Sequence, residues 1–595
     1  MSSGRNAPVF QRPDSVNSGE QGIEEEDALL TGQRPGKREP INAHNKGKWR
    51  EIVLFAWALV ATAAVVILAV VFQHNTQVSD GGDKSKHGGG KRNLIFMVSD
   101  GMGPTSLELA RSWRQYTDQL PWNNTLVLDK HLIGQSRTRS SSSLVTDSAA
   151  GATAFSCGIK SYNGAISVLP SFDPCGSVME AAKRKGYTTG LVVTTRITDA
   201  TPAVFASHVR RREMEDDIAL QMIGETHPLG RMVDLMMGGG RCHFLPNTTE
   251  GGCRADDVDV IKTAGEKGWN YISTRNEFDH LGPSVELPLL ALFSPTDIPY
   301  EVDRRHQNEV YPSLEEMAKT ALTALSAATK DSDQGFFVMI EGSRIDHAGH
   351  ANDPGAQVHE VLAYDRTIAA VLDFIKHEET PTLMVSTSDH ETGGLAAARQ
   401  LHEDYPQYLW YPGVLANVSH SASHVSREYQ MHISSLPEDL SADAESEAKK
   451  TYIKELTARA LGINDPSTEE ISDLIQRPER ASYIFADMVS RRAQTGWSTH
   501  GHSGADVNIY TSDSHAAKAL RGNHENTEVG EFLRNYLDLG DEVEKVTRLL
   551  QRHGHENDET WMGSVPQDGE RLDGQDHLDA YHGDHKTKRC AVCGI

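Results

Sequence analysis

Four short apolar runs, each followed by an acidic residue or a histidine, constrain this chain more than any other feature. Asn93-Leu94-Ile95-Phe96-Met97-Val98 leads into Ser99-Asp100-Gly101-Met102-Gly103, and Gly190-Leu191-Val192-Val193-Thr194-Thr195 precedes Asp199. Phe336-Phe337-Val338-Met339-Ile340 precedes Glu341, and Thr382-Leu383-Met384-Val385-Ser386 precedes Asp389-His390. A run with no polar face is expected as a strand buried on both sides. Helical stretches lie between them, at Leu314 to Lys330 and Gln357 to His377. This alternation predicts a doubly wound α/β fold, with a mostly parallel central sheet and helices on both faces. Ligands gather at the carboxyl ends of strands in such sheets, where these acidic residues and the histidine would meet.

A second run has a different meaning. Ile52 to Phe72 reads IVLFAWALVATAAVVILAVVF, without a charge. As a helix it would rise roughly 30 Å, the depth of a bilayer's hydrocarbon core. Lys46, Lys48 and Arg50 precede it, so the positive-inside rule predicts a type II protein with a cytosolic N-terminus. All six cysteines follow this span, as do the acceptor triplets beginning at Asn123, Asn247 and Asn417, which suits an oxidising, glycosylating lumen. Cys242 and Cys253 enclose a short loop and are the expected disulfide. Cys590-x-x-Cys593 on a polar tail is a weak redox or zinc signal. The expected organisation is a disordered cytosolic tail at 1–50, a transmembrane helix at 51–72 and a linker at 73–90. A catalytic domain at 91–552 follows, with a polar, helix-prone insertion near 401–495, then a disordered lumenal tail at 553–595. Within the first tail Glu24-Glu25-Glu26-Asp27-Ala28-Leu29-Leu30 has the pattern of an acidic dileucine signal, which would engage a cytosolic sorting adaptor through Glu25, Leu29 and Leu30.

The formal net charge of −25 excludes a nucleic-acid scaffold but not a phosphorylated ligand, provided that cations line the site. Asp346-x-x-x-His350 follows Glu341, and Asp389-His390 ends the next strand. Asp and His are zinc ligands, and burying so many carboxylates without cations would cost several kcal/mol each. A multinuclear metal site is therefore expected. Thr146-Asp147-Ser148-Ala149-Ala150-Gly151-Ala152-Thr153-Ala154 should begin a helix near Ser148. A serine there is ordinarily a cap, yet the helix N-terminus also suits a phosphoryl group.

Taken in order, several segments resemble the signature set of the alkaline phosphatase family. They are Ser99 to Gly103, Val145 to Ala150, Gly158 to Gly164, Asp199 to Pro202, Glu341 to His347, Asp389 to Gly394 and His502 to Gly504. The resemblance covers roughly residues 91–540, and the anchor and sorting features resemble the vacuolar branch of that family in fungi. It implies two zinc ions and one magnesium ion. Asp346, His350 and His502 match the ligands of the first zinc, and Asp100, Asp389 and His390 those of the second. Asp100, Thr201 and Glu341 match the magnesium site. Ser148 matches the nucleophile and Arg212 the phosphate-clamping arginine, oriented by Asp147. Arg210 and Arg211 are rivals to Arg212, and His500 is a rival to His502. Asp199 follows the bacterial pattern and His347 the animal one, both near magnesium and phosphate in the family, which leaves the pH optimum open. The resemblance further implies a homodimer acting on a broad range of small phosphorylated substrates in the vacuolar lumen. The expected reaction is hydrolysis of phosphate monoesters through a phosphoserine. The alternatives are a phosphodiesterase or nucleotide pyrophosphatase of the same superfamily, and a non-catalytic membrane receptor on this fold.

Overall fold

The structure, a computed structural model, describes residues 55, 57, 62, 90–282, 285–557 and 559–566. The chain divides into two units after Gly88. In the first, Phe55, Trp57 and Thr62 are helical and exposed; the rest of the expected span, both flanking segments and Cys590 and Cys593 lie outside the described residues. Among the described residues no helix is long and apolar enough to cross a membrane.

The second unit is built on ten strands: β1 (Asn93–Val98), β2 (Leu132–Arg137), β3 (Thr188–Arg196), β4 (Leu235–Gly239), β5 (Asn270–Ile272), β6 (Leu289–Leu292), β7 (Phe336–Glu341), β8 (Thr382–Thr387), β11 (Val507–Thr511) and β12 (Gly522–Glu525). Two more, β9 (Glu391–Thr392) and β10 (His502–Ser503), form a separate antiparallel pair. The large sheet runs β12-β2-β11-β8-β1-β7-β3-β4-β6-β5. Only β11 runs against its neighbours, β2 and β8. The four apolar runs form β1, β3, β7 and β8, which sit together at the centre, where a strand with no polar face belongs. Alternation along β1 splits its side chains: Ile95 and Met97 join one hydrophobic core, Leu94, Phe96 and Val98 the other, one per sheet face. The first core continues into the insertion, whose helices include Ala422–Ser435, Ala442–Leu461 and Ala481–Ala493, through Val425, Tyr429, Leu456 and Phe485.

Cys242 and Cys253 are disulfide-bonded, as their spacing suggests. The chain stays ordered beyond residue 552, contrary to a tail beginning at 553: a helix runs Gly540–Asn557, and a short 3₁₀ turn follows at Glu559–Met562. Met562 is buried, its carbonyl accepts the Arg210 N–H at 3.0 Å, and the Trp561 carbonyl accepts the Gln221 amide at 3.0 Å. Two apolar residues in a charged stretch suffice to pin it, which composition averaged over the tail conceals.

Glu360, on the helix Pro354–His377, is buried, and its Oε1 accepts the Glu301 N–H at 2.6 Å. Burial pushes its carboxyl from an ordinary 4.5 up to about 7. A group raised on folding costs nothing below its unfolded value and destabilises as pH rises through the folded one. Glu360→Gln keeps the acceptor and removes the charge. Urea unfolding should show no stabilisation near pH 4.5 and a gain of a few kcal/mol at pH 8, at about 1.4 kcal/mol per unit. Equal effects at both pH values would contradict this origin.

Candidate active site

The register Val98↔Glu341 and Val98↔Thr387 brings the ends of β1, β7 and β8 level, so their following residues meet. Asp100 enters from β1 through a turn that only glycine suits. Gly101 has φ +75°, and a Cβ there would lie 2.5 Å from the Asp346 Cα. Glu341 ends β7, and the helix Arg344–His350 behind it carries Asp346 and His350 four residues apart, hence on one face. Asp389 and His390 follow β8. Asp199 caps the helix Ala200–Ala206, whose second residue is Thr201. The β9–β10 pair, with His502 opposite Thr392, carries His502 to the same edge. Ser148 opens the helix Ser148–Cys157; its cap is Asp147, whose Oδ1 accepts the Ala150 N–H at 2.9 Å.

Hydrogen bonds assign the imidazole protons. His502 Nδ1 donates to the Thr146 carbonyl at 2.7 Å, and His350 Nδ1 donates to the His500 carbonyl. Their Nε2 atoms then face each other as lone pairs, 2.9 Å apart. Only a proton or a metal ion relieves that contact, and Asp346 Oδ1 lies 3.3 Å from one nitrogen and 3.5 Å from the other. His390 is oriented likewise. Thr392 Oγ1 gives its proton to Asp346 Oδ1 at 2.5 Å and so accepts from His390 Nδ1 at 3.1 Å. His390 Nε2 is left to accept the Ser148 hydroxyl at 3.0 Å, with Asp389 Oδ2 at 3.3 Å and Asp100 Oδ1 at 3.4 Å. Burial holds the His390 and His502 imidazoles below their ordinary range, His502 at about 4, so both are neutral and able to ligate.

The carboxylates lack counter-charges of their own. Asp100 Oδ1, Asp389 Oδ2 and Glu341 Oε2 are buried without a hydrogen-bond partner. Burial, then the neighbouring carboxylates, raises Asp100 well above the usual range and Asp389 to about 7; burial also raises Glu341. Orphaned oxygens, neutral imidazoles and opposed lone pairs are a donor set that fits divalent cations. Asp100, Asp389 and His390 form one such group, and Asp346, His390 and His502 another, with ligand atoms within 4.8 Å of one another. Thr201 Oγ1 reaches Asp100 Oδ2 at 3.5 Å and also bonds Glu341. Arg212 reaches from Asp147 Oδ2 at 3.3 Å to Asp199 Oδ1 at 3.1 Å. Both carboxylates keep it charged despite its burial.

The chain belongs to the alkaline phosphatase family. The family model described as alkaline phosphatase matches residues 91–539. The repressible alkaline phosphatase of Saccharomyces cerevisiae is 52% identical over 491 residues, 79% of this chain and 85% of that protein. The alkaline phosphatase of Schizosaccharomyces pombe is 43% identical, over 88% of this chain and 94% of that one. Among solved structures, Thermus thermophilus alkaline phosphatase superposes with TM-score 0.63 at 26% identity, covering 78% of this chain and 96% of that one. A cold-active Shewanella alkaline phosphatase gives 0.61 at 27%, covering 75% and 99%. The chain is thus an alkaline phosphatase, a hydrolase of phosphate monoesters, with clusters of metal-ligand residues at its sheet edge.

His500 and His502 point differently, as do Arg210 and Arg212. His500 donates from Nδ1 to the His350 carbonyl at 2.8 Å and packs its ring against Tyr483, whereas His502 points its Nε2 at His350. Arg210 donates to the Phe172 and Gly563 carbonyls, away from Ser148, while Arg212 lies against Asp147. His347 is buried beside Arg344, whose Nε is 3.2 Å from its Nδ1, and Asp297, 3.5 Å away. Residues that sequence reasoning missed support the ones it found. Thr392 aligns Asp346 and His390. Arg196, at the end of β3, holds Asp199 at 3.0 Å, Glu215 at 2.8 Å and Asp297 at 2.9 Å. An arginine ending an apolar run was the available signal. Arg196→Met would leave two buried carboxylates and the half-buried Asp297 short of a partner. It is expected to cost about 3–5 kcal/mol in urea unfolding, and to raise KM by loosening Asp199 and with it Arg212. A loss below about 1 kcal/mol, the scale of an exposed pair, would show that Arg196 is not their main support.

Proposed function

We propose that the chain hydrolyses phosphate monoesters by passing the phosphoryl group first to Ser148 and then to water. The supporting observation is the Ser148 hydroxyl itself, at a helix N-terminus, 3.0 Å from His390 Nε2 and beside the two Asp/His groups. Asp346, His350 and His502 would hold one zinc, Asp100, Asp389 and His390 a second, and Asp100, Thr201 and Glu341 a magnesium. Such ions acidify a hydroxyl and neutralise phosphoryl oxygens. Ser148 Oγ, giving up its proton, attacks phosphorus as the ester P–O bond breaks, and the leaving alkoxide takes up a proton in balance and departs as an alcohol. Water then attacks the phosphoserine, the Ser148 P–O bond breaks, and inorganic phosphate leaves. Asp147 and Asp199 each take an N–H of Arg212 and fix its plane, so the remaining N–H groups meet two phosphoryl oxygens. The helix N-terminus behind Ser148 adds to the attraction.

Hydrolysis of a chromogenic phosphate monoester at mildly alkaline pH, beside its methyl diester, tests this reading. Monoester turnover should be lost to chelation and return with zinc and magnesium, and the diester should react far more slowly. A preference for the diester would move the assignment to a diesterase. The same reading places the domain in the vacuolar lumen behind a type II anchor at Ile52–Phe72. Its support is the basic flank of that run, the Cys242–Cys253 disulfide and the exposure of Asn123, Asn247 and Asn417. Glycosidase treatment should increase the gel mobility of the protein from cells.

A further inference from the structure

Outside the active site, among the described residues, three further groups place ligand-type atoms within 4.8 Å of one another. Cys242, His243 and Cys253 form one, but its sulfurs are joined in the disulfide. Glu180, His208 and His227 form another, fully buried, and its ring protons argue against a metal. His227 Nδ1 accepts the Leu229 N–H at 3.1 Å, so its own proton sits on Nε2, facing Glu180 Oε1 at 2.9 Å. His208 spans the Ser167 carbonyl and Glu180, both at 3.0 Å, as an imidazolium bound to a carboxylate would.

The third group is different. Asp303 lies in the short helix Glu301–Arg304 of the core, after β6. His420 immediately precedes Ser421, the cap of the insertion helix Ala422–Ser435, and His424 is one turn further on. His420 stands outside the helix, one residue before its cap, and the turn there lays its ring beside that of His424. Their rings stack 4.2 Å apart at 13°. His420 Nδ1 is 3.1 Å from Asp303 Oδ1. Asp303 is buried and also accepts the Ser421 N–H at 3.0 Å and the Ser421 hydroxyl at 2.6 Å. Another turn along, Glu428 Oε1 lies 3.5 Å from His424 Nε2, and the His306 ring is 5.0 Å from that of His420.

We propose that Asp303, His420 and His424 bind a divalent cation of the zinc class, at a site separate from the catalytic edge, and that this ion ties the insertion to the core. Two imidazoles and a carboxylate are a zinc donor set, whereas calcium and magnesium take oxygen alone. The half-buried rings leave the site open to solvent for a further ligand. The composition repeats that of Asp346, His390 and His502 in the active site, where two rings also stack, at 3.5 Å. Glu428 also pairs with Arg459 at 2.6 Å, and helix capping accounts for Ser421 and Asp303, but neither requires the stacked imidazoles beside Asp303.

The test compares the full-length enzyme with a His420→Gln/His424→Gln variant, both dialysed against the same buffered Zn²⁺ and assayed for metal by mass spectrometry. The variant should hold one zinc per chain fewer and hydrolyse a phosphate monoester as the parent does. Equal zinc contents would overturn the site. The single variant His424→Gln keeps the contacts of Asp303 with His420 and Ser421, so it guards against loss of the insertion's fold. Titrated with Co²⁺, it should lack one equivalent of visible d–d absorbance, and absorbance per chain equal to the parent's would likewise overturn the proposal.

Discussion

Replacing Ser148 with alanine is expected to abolish phosphoenzyme trapping and to lower kcat by roughly 10⁴–10⁶-fold, the scale on which covalent enzymes lose activity when the nucleophile is removed. The loss should be chemical rather than structural. Ser148 is the first residue of its helix, but the cap is Asp147, which keeps its bonds to the Ala150 and Gly164 N–H groups at 2.9 and 2.8 Å. The variant forfeits at most the contact of the hydroxyl with His390 Nε2, which a bound zinc would take over, so its stability should change by no more than about 1 kcal/mol. Acid quench after mixing with a ³²P-labelled monoester reads the covalent species, and thermal unfolding reads the fold. Label retained on a stable variant would place the nucleophile elsewhere.

The second large effect concerns His502. His502→Ala removes one of two opposed Nε2 atoms and leaves Asp346 and His350 with a ligand missing. We expect a loss of one tightly bound zinc per chain and a fall in kcat/KM of roughly 10³-fold, about 4 kcal/mol of lost transition-state stabilisation. His500→Ala is the control. It lies two residues away and keeps its carbonyl for His350 Nδ1, while its ring serves Tyr483 and the His350 carbonyl. That variant should retain its metal and most of its activity. If His500→Ala were the one to lose zinc, the first metal group would have to be redrawn around it.

What was legible beforehand follows the range of the interaction involved. An apolar run such as Leu94 to Val98 announces a buried strand because alternation places successive side chains on opposite faces, and both faces are apolar. Asp100, Glu341, Asp389 and His390 could be gathered to one edge because parallel strands share a direction. Asp346 and His350 could be paired because four residues make about one helical turn. Each inference needs only neighbouring residues. Where His500 and His502 point depends on the β9–β10 pair, and the contact of Arg212 with Asp147 is a tertiary one.

The sequence by itself determined the strand ends, the place of Ser148 at a helix start and the ligand-type chemistry of the residues at those ends. Tertiary structure alone decided which imidazole nitrogens face each other. It also joined Arg196 to Asp297 and Glu215, Thr392 to Asp346, and Asp303 to His420. The physical reason is that periodicity is a local property of the chain, whereas those pairs form only after sheet order and helix packing bring distant residues within hydrogen-bond reach.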